Sequence, residues 1–395
     1  MTDLALTLPA LTHKPKSGPK VDVKMIERVA RSAGISPLRQ FSEIVRLNRR
    51  DTHLGAYEYH RFQVYRRDLG WTEKRAFVGD LGSAQLNHRL APAGLTQMRG
   101  FVSDKLAFTG LMAQLGLPTT RIQAAYATGR SFGALRCLRS EADVIRFLTH
   151  EARFPLFGKP AQLRQGLGAV RIDHVDGARG MVVLGNGRAI PLRQLAAEIA
   201  AHAATGYLFQ DVVEQHADLN RMAGGSALAT LRIVTVVAQA DRPQVLYAAW
   251  RLPPPLAMID DTWQDDSLIS LVDTASGRLD TLRRGKGPDT EWLADHPLHR
   301  EQVVGQTLPF WPAAKALAVA AHGVVPVNGI LGWDIAIGPT GPVLIECNEN
   351  TAHGIFQLAA GRGILNDDFK PVFAEVIARN ARLIGQGKGR ASAPR

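Results

Sequence analysis

Apolar residues along the first third of the chain recur at helical spacing. Val23, Ile26, Val29, Ala30 and Ala33 fall three to four positions apart and Gly34 follows them, which predicts a helix. Ser36 and Pro37 then supply an N-cap and a first-turn proline for a second helix, with Leu38, Phe41, Ile44, Val45 and Leu47 expected on one face. Residues 58–68 mix Tyr59, Phe62 and Tyr65 with Arg61, Arg66 and Arg67, the pattern of a third helix with an aromatic face and a solvated basic one. Ser103 and Asp104 cap the run KLAFTGLMAQL, which Gly116 and Pro118 end.

Beyond residue 150 the period shortens. Residues 153–159 and 169–173 read as strands around a glycine-bearing turn, 194–204 as a helix and 207–213 as a strand. Residues 231–237 and 244–251 are β-branched and apolar, 268–282 read as a hairpin turning at Ser276 and Gly277, and 312–322 as a helix. The segments GWDIAI and PVLIECNEN flank Gly338, Pro339, Thr340 and Gly341, a second hairpin. Strand pairs mixed with helices, without a fixed-period repeat, imply an α+β fold.

Ordinary globular composition (46% hydrophobic, 21% charged) over 395 residues excludes a fibrous or disordered chain. Two cysteines, Cys137 and Cys347, cannot build a disulfide framework, so a reducing cytoplasm is the simplest compartment. Cys347 alternates with Glu346 and Asn348 and is expected to face the core. The N-terminus has no basic n-region before its short apolar stretch, and no run of 18 apolar residues exists, so neither a signal peptide nor an integral membrane span is expected.

The net charge of +11 lies at the ends. Residues 1–100 carry +8, residues 379–395 carry +5, and the middle carries −2. A near-neutral centre argues against a nucleic-acid groove. Residues 1–21, rich in Pro, Lys and Ser, and residues 379–395 are expected as disordered basic ends, with contact to an anionic membrane surface or an acidic partner as the lesser role.

Candidate chemistry concentrates in the last hairpin. Partners in a hairpin centred near Thr340 sum to 680, so Asp334 faces Glu346, and Asn348 shares that face. Two opposed carboxylates repel unless a positive group lies between them, and oxygen ligands of this kind suit Mg²⁺ or Mn²⁺. Ile335, Ile337, Val343 and Ile345 are expected on the core face. In FPLFGKPAQLRQGLGAV, Lys159 ends a strand and faces a loop bearing Gly166 and Gly168, which suits phosphate oxygens. Neither the Walker A spacing nor a strand–GxGxxG–helix is present. Arg232 sits mid-strand in TLRIVTV and must meet either a carboxylate or a phosphate. His216 and His322 lack metal-ligand spacing, and His353, just after NENTA, is the histidine nearest the candidate site.

In this order the segments resemble the ATP-grasp superfamily, and within it the sugar-transfer-associated group: Lys105 in SDKLAF, Lys159 with its glycine loop, the hinge FQDVVEQHADLN, TLRIVTV, and GWDIAI with VLIECNEN. The resemblance spans about residues 57–375. It implies two α+β lobes clamping ATP, a first lobe over 101–210 and a second over 211–378, behind a helical N-terminal extension over 22–100. It also implies that Lys105 and Lys159 hold the α- and β-phosphates beside Gly166 and Gly168. Gln210, Asp211, Val212 and Val213 would meet adenine, and Asp218 or Glu214 the ribose. Arg232 would meet the γ-phosphate, and Asp334, Glu346 and Asn348 would bind two Mg²⁺ ions. The implied activity is ligation of a carboxylate, activated as an acyl phosphate, to an amine, in cell-surface polysaccharide or secondary-metabolite synthesis. A phosphotransferase and a nucleotide-binding scaffold of a polysaccharide-synthesis complex are the alternatives. LPPPLAMIDDTWQDDSLISLVD departs from the group's glycine-rich pattern on the acceptor side.

Overall fold

The computed structural model describes residues 8–13, 23–95, 99–163, 166–225, 227–238, 241–254, 257–259 and 266–391. Helices α1 (Val23–Ala33), α2 (Pro37–Leu47), α3 (Ala56–Arg61), α4 (Trp71–Lys74) and α5 (Asp80–Leu90) form an N-terminal layer. Helices α6 (Arg99–Ser103) and α7 (Lys105–Gln114) lead into a first sheet. That sheet comprises β1 (Ile122–Tyr126), β2 (Arg136–Leu138), β3 (Leu156–Pro160), β4 (Val170–Asp176), β5 (Met181–Leu184), β6 (Ala189–Pro191) and β7 (Tyr207–Asp211). Its order is β2-β1-β7-β3-β4-β5-β6, with α8 (Glu141–Arg146) and α9 (Leu192–Ala200) on one face.

Helix α10 (Ala217–Ala223) precedes a second sheet of β8 (Thr230–Val237), β9 (Pro243–Leu252), β10 (Leu268–Val272), β11 (Arg283–Arg284), β12 (Glu291–Trp292), β13 (Ile330–Gly338) and β14 (Gly341–Asn348). The order is β12-β11-β10-β9-β8-β13-β14, antiparallel throughout its pairs. Helix α11 (Trp311–Val324) packs on one face, where Leu231, Ile233, Trp250, Trp333 and Leu317 share a core. Helices α12 (Gly354–Ala360) and α13 (Phe369–Ala391) join the N-terminal layer on the other, against Val234, Val236 and Tyr247. Burial on both faces explains why residues 231–237 are apolar apart from Arg232 and Thr235.

Several expectations from the sequence are corrected. Helix α3 stops at Arg61, and Gln63 takes φ +55°, because Phe62, Val64 and Tyr65 all enter one core and could not share a helix face. Helix α2 is inverted. It buries Gln40, Glu43 and Leu47 and exposes Leu38, Phe41 and Val45. The inward polar groups are matched. Gln40 donates to the carbonyls of Ile26 and Ile35 and meets the His60 ring, while Glu43 pairs with Lys74 at 2.7 Å and accepts from Tyr59 at 2.8 Å.

Part of the segment expected as a disordered N-terminus is ordered. Ala10 and Leu11 are buried in the core of the first sheet, and their amides donate to Glu198. Residues 1–7 and 14–21 lie outside the described residues. The expected C-terminal tail is likewise helical as far as Ala391, and at its start Arg379 donates to the carbonyl of Pro326 and Asn380 to that of Leu90.

Burial alone would raise the Glu43 carboxyl, but Lys74, Tyr59 and Arg39 outweigh it and hold it below its usual range. A depressed carboxylate contributes stability above its unfolded pKa, and that contribution is lost as pH falls through the folded value. We therefore expect Glu43→Gln to cost about 3–5 kcal/mol near neutral pH by leaving Lys74 buried without its charge. Urea unfolding should show this cost shrinking in acid. A constant cost from neutral pH to acid would remove the ion pair from the account.

Candidate functional site

The chemistry-bearing residues sit on the face of the second sheet that looks toward the N-terminal layer. Register places Arg232 of β8, Asp334 of β13 and Glu346 of β14 directly opposite one another in one row. Directly opposed residues share a face, so the row is a line of charge +, −, − across three strands. Gly332 and Asn348 form the next pair along the same face, and Thr230 and Arg251 lie on the other flank. A Cβ at Gly332 would lie 2.4 Å from the Thr351 hydroxyl, so glycine is what lets the loop after β14 close over the row.

The Arg232 guanidinium forks onto Asp334, with Nε 2.5 Å from Oδ1 and Nη2 3.2 Å from Oδ2. Arg251 reaches the same Oδ2 at 3.1 Å and donates to the Thr230 hydroxyl. Thr351 accepts from the third nitrogen of Arg232 at 3.2 Å. Asp334 is only 5% exposed. Burial by itself would raise its carboxyl, and the charges and hydrogen bonds of the two arginines reverse that and hold it well below the usual range. Of the two fates open to Arg232, the structure shows the carboxylate.

Glu346 stands apart from that pair. It is half-buried, 3.7 Å from Lys105 Nζ, and Asn348 reaches its Oε1 at 3.5 Å. The positive relief that two opposed carboxylates require is thus divided, with arginines on Asp334 and a lysine on Glu346. Lys105 is the first residue of α7 because Asp104 caps the helix, accepting from Leu106 and Ala107 at 3.1 Å. Lys159, at the end of β3, extends from the first sheet to the Ile345 carbonyl of the second, 3.5 Å away. Ile345 is accessible to it because β14 bulges between Asp334 and Ile335. The pairing sums to 680 as far as Glu346 and to 679 beyond, so Leu344 takes the core position expected of Val343 and Ile345.

Lys105, Lys159, Gly166, Arg232, Asp334, Glu346 and Asn348 all line one cleft of ≈ 360 Å³. Gly166 and Gly168 have φ +65° and +74°. A Cβ on Gly166 would lie 2.3 Å from Ile259, the only described residue of the divergent acceptor-side segment that lines this cleft; residues 255–256 and 260–265 of it lie outside the described residues. Residues 164 and 165 of the glycine loop also lie outside them. Gln210, Asp211, Val212, Val213, Glu214 and Asp218 do not line the cleft. Asp211 accepts from Gln123 at 2.6 Å, and Asp218 is exposed beside Arg221. The hinge carries them to β13, where the His216 amide donates to the Ile337 carbonyl.

Three contributions escaped the sequence reading. Arg61, Asp80 and Ser83 bring the N-terminal layer into the cleft wall. Arg251 doubles the positive charge on Asp334. Thr12 clasps the glycine loop: its amide donates to Ala169, its carbonyl accepts from Gly168 at 2.8 Å, and its hydroxyl bonds Gly166 and Ala169. None shows a local pattern, since each depends on segments remote in sequence. His353, by contrast, is sealed from the cleft. Its ring lies between Tyr247 and Asn87, and burial, with the Arg232 charge second, pushes it down to about 3.

A family model described as sugar-transfer associated ATP-grasp matches residues 96–370. The chain belongs to that family. The sugar-transfer-associated ATP-grasp domain thus includes both sheets and leaves α1–α5 before it. The D-alanine–D-alanine ligase of Coxiella burnetii aligns over 75% of this chain and 64% of its own, at 9% identity and a TM-score of 0.42. The ATP-grasp ligase PsnB, solved with a minimal precursor, aligns over 71% of this chain and 63% of its own, at 15% identity and a TM-score of 0.38. The chain therefore spans less than two thirds of either structure. No curated protein matches it.

Two measurements test this geometry. Asp334→Ala should cost about 3–5 kcal/mol in chemical unfolding, because two buried guanidinium groups lose their shared carboxylate. Glu346→Gln should cost under about 1 kcal/mol, as a half-exposed partner of one lysine. Equal losses would mean that both acids serve the fold alone. Removing residues 1–13 should leave both sheets folded but loosen residues 166–169, read as faster amide exchange there; unchanged exchange would mean that the loop holds itself.

Proposed function

We propose that this protein is an ATP- and Mg²⁺-dependent, ADP-forming ligase that activates a carboxylate as an acyl phosphate and joins it to an amine. The observation that carries the reading is the convergence of Lys105, Lys159, Arg232, Arg251 and Arg61 on one cleft where, among the described residues, Asp80, Asp334 and Glu346 are the acids. Surplus positive charge enclosed in a cleft favours a polyanion, and a triphosphate is the polyanion the family grips. Lys105 and Lys159 are the proposed partners of its α- and β-phosphates. The loop at Gly166 and Gly168 brings backbone close to it, and Gln210 to Val213 with Glu214 or Asp218 serve the adenosine end.

Glu346 and Asn348 offer oxygens toward the cleft and fit a Mg²⁺ or Mn²⁺ ion that takes its other ligands from phosphate. Asp334 completes the proposed set, although both of its oxygens are engaged by arginine in this structure. Among the described residues no three His, Cys, Asp or Glu side chains form a metal cluster, which suits a phosphate-dependent ion better than an all-protein cage. The ion would neutralise charge on the transferring group.

In the proposed reaction a carboxylate oxygen attacks the γ-phosphorus and ADP leaves. The amine nitrogen then attacks the acyl carbon, phosphate leaves, and the amine proton passes to solvent. Arg232 meets charge that develops during transfer, so it acts on the rate more than on nucleotide affinity. Arg61, Asp80 and Ser83 line the part of the cleft furnished by the N-terminal layer and are the proposed contacts of the acyl substrate.

Lys159→Ala should weaken ATP binding more than about tenfold in calorimetry, the loss of a desolvated lysine–phosphate contact. With ATP, Mg²⁺, hydroxylamine and a panel of acids, hydroxamate and ADP should form without the natural amine, and Arg232→Lys, which keeps a cation beside Asp334, should lose most of the hydroxamate with its thermal unfolding checked alongside. Pyrophosphate would overturn the ADP-forming route. A stable phosphorylated alcohol would make the protein a phosphotransferase, and tight ATP binding without turnover of any acid would support a scaffold.

A further inference from the structure

The inverted α2 leaves an apolar face in water. Leu38, Phe41 and Val45 are 79%, 67% and 59% exposed and lie at i, i+3 and i+7, one stripe along the helix. The orientation is fixed from within, since Gln40 and Glu43 are locked to named partners beneath. Rolling the helix to bury its apolar stripe would expose a matched ion pair and break those bonds. Large side chains held outward in a row mark a surface built to be covered.

The charge around the stripe identifies the covering material. Arg39, Arg46, Arg49 and Arg50 are exposed along α2 and just beyond it. The acids nearby are already engaged: Glu43 pairs with Lys74 beneath the helix and with Arg39 at 2.9 Å, Glu27 pairs with Arg31 at 2.8 Å, and Asp51 faces Arg49 at 3.7 Å, which leaves Arg46 and Arg50 as the cations of this set without a carboxylate partner among the described residues. An apolar stripe flanked by arginines matches a lipid surface, whose acyl region takes Leu, Phe and Val while anionic headgroups take the guanidinium groups. A second copy of the same face would oppose like charges, which disfavours self-association.

We propose that α2 docks this protein on an anionic membrane surface, lying in the interface plane with Leu38, Phe41 and Val45 inserted. The inference is independent of the reaction proposed above, because its readout is partition and not turnover. No described helix is long and apolar enough to cross a membrane, so the attachment is peripheral.

The test uses the full chain with phosphatidylcholine vesicles, with and without phosphatidylglycerol, in a sedimentation assay. The intact protein should sediment with the anionic vesicles only, and less so as salt rises. The combined variant Leu38→Ser, Phe41→Ser, Val45→Ser should lose roughly a hundredfold or more in partition, since three apolar side chains no longer leave water. Arg49→Glu with Arg50→Glu should lose more than about tenfold, because charge at the headgroups is reversed. All substituted side chains are exposed, and an unchanged thermal unfolding curve confirms that each variant folds. Failure of the intact chain to bind anionic vesicles would overturn the proposal. So would equal binding by the serine variant, which would assign attraction to the basic ends alone. A dimer that the serine variant dissociates, without vesicle binding, would make the stripe a contact between copies.

Discussion

The second sheet depends on one charge arrangement. Arg232 and Asp334 face each other at the centre of strands that are apolar on both sides, and neither could be there alone. The fork geometry satisfies both carboxylate oxygens, and Arg251 with Thr230 completes the set on the outer strand. Once Asp334 is committed to arginine, Glu346 is the carboxylate in the row left to face outward, toward Lys105. Burial and pairing therefore assign the two acids different work. The one with two guanidinium partners joins strands in this structure, and the one with a single lysine at 3.7 Å is the less constrained.

That row lines a cleft to which residues outside the family match, Arg61, Asp80, Ser83 and Ala84, contribute part of the wall. Asn87 of α5 donates to the Thr351 carbonyl through its amide nitrogen and accepts from the His353 ring through its Oδ1, while Ser83 accepts from the His353 amide. Thr351 in turn bonds Arg232. The N-terminal layer is thereby linked through two side chains to the charge row, and its removal would free the loop after β14 as well as the cleft wall. The layer is part of the site's construction.

Legibility in the sequence followed the range of the interaction. The last hairpin was readable because strand pairing across a short turn is local, and the register held from Asn348 to Glu346. It failed one residue later, at a bulge that leaves Ile345 unpaired and puts Leu344 in the core, which a strict alternation across the turn does not show. Helix α2 was recognisable as amphipathic, but amphipathicity does not state which face is inside. Gln40 and Glu43 decide that, and their partners His60, Lys74 and Tyr59 lie 16 to 31 positions away. Thr12 is the extreme case, more than 150 positions from the loop it clasps.

The same distinction accounts for the net charge. A sum over the chain treats all arginines alike, yet the structure separates them by solvation. Arg232 and Arg251 are desolvated and share a carboxylate, so they impose little field beyond the cleft. Arg283 is buried deeper still, where dehydration, with Arg61 and Arg66 adding to it, brings it down to about 9, and it donates to the carbonyls of Leu358 and Arg61. What an approaching partner meets is the exposed remainder, Arg39, Arg46, Arg49 and Arg50 among it, within a Debye length of about 8 Å at physiological salt. The arginines of the chain thus form two sets with different ranges. Buried ones such as Arg232 and Arg251 act on what enters the cleft, and the exposed ones of the first hundred residues act on what the whole molecule approaches.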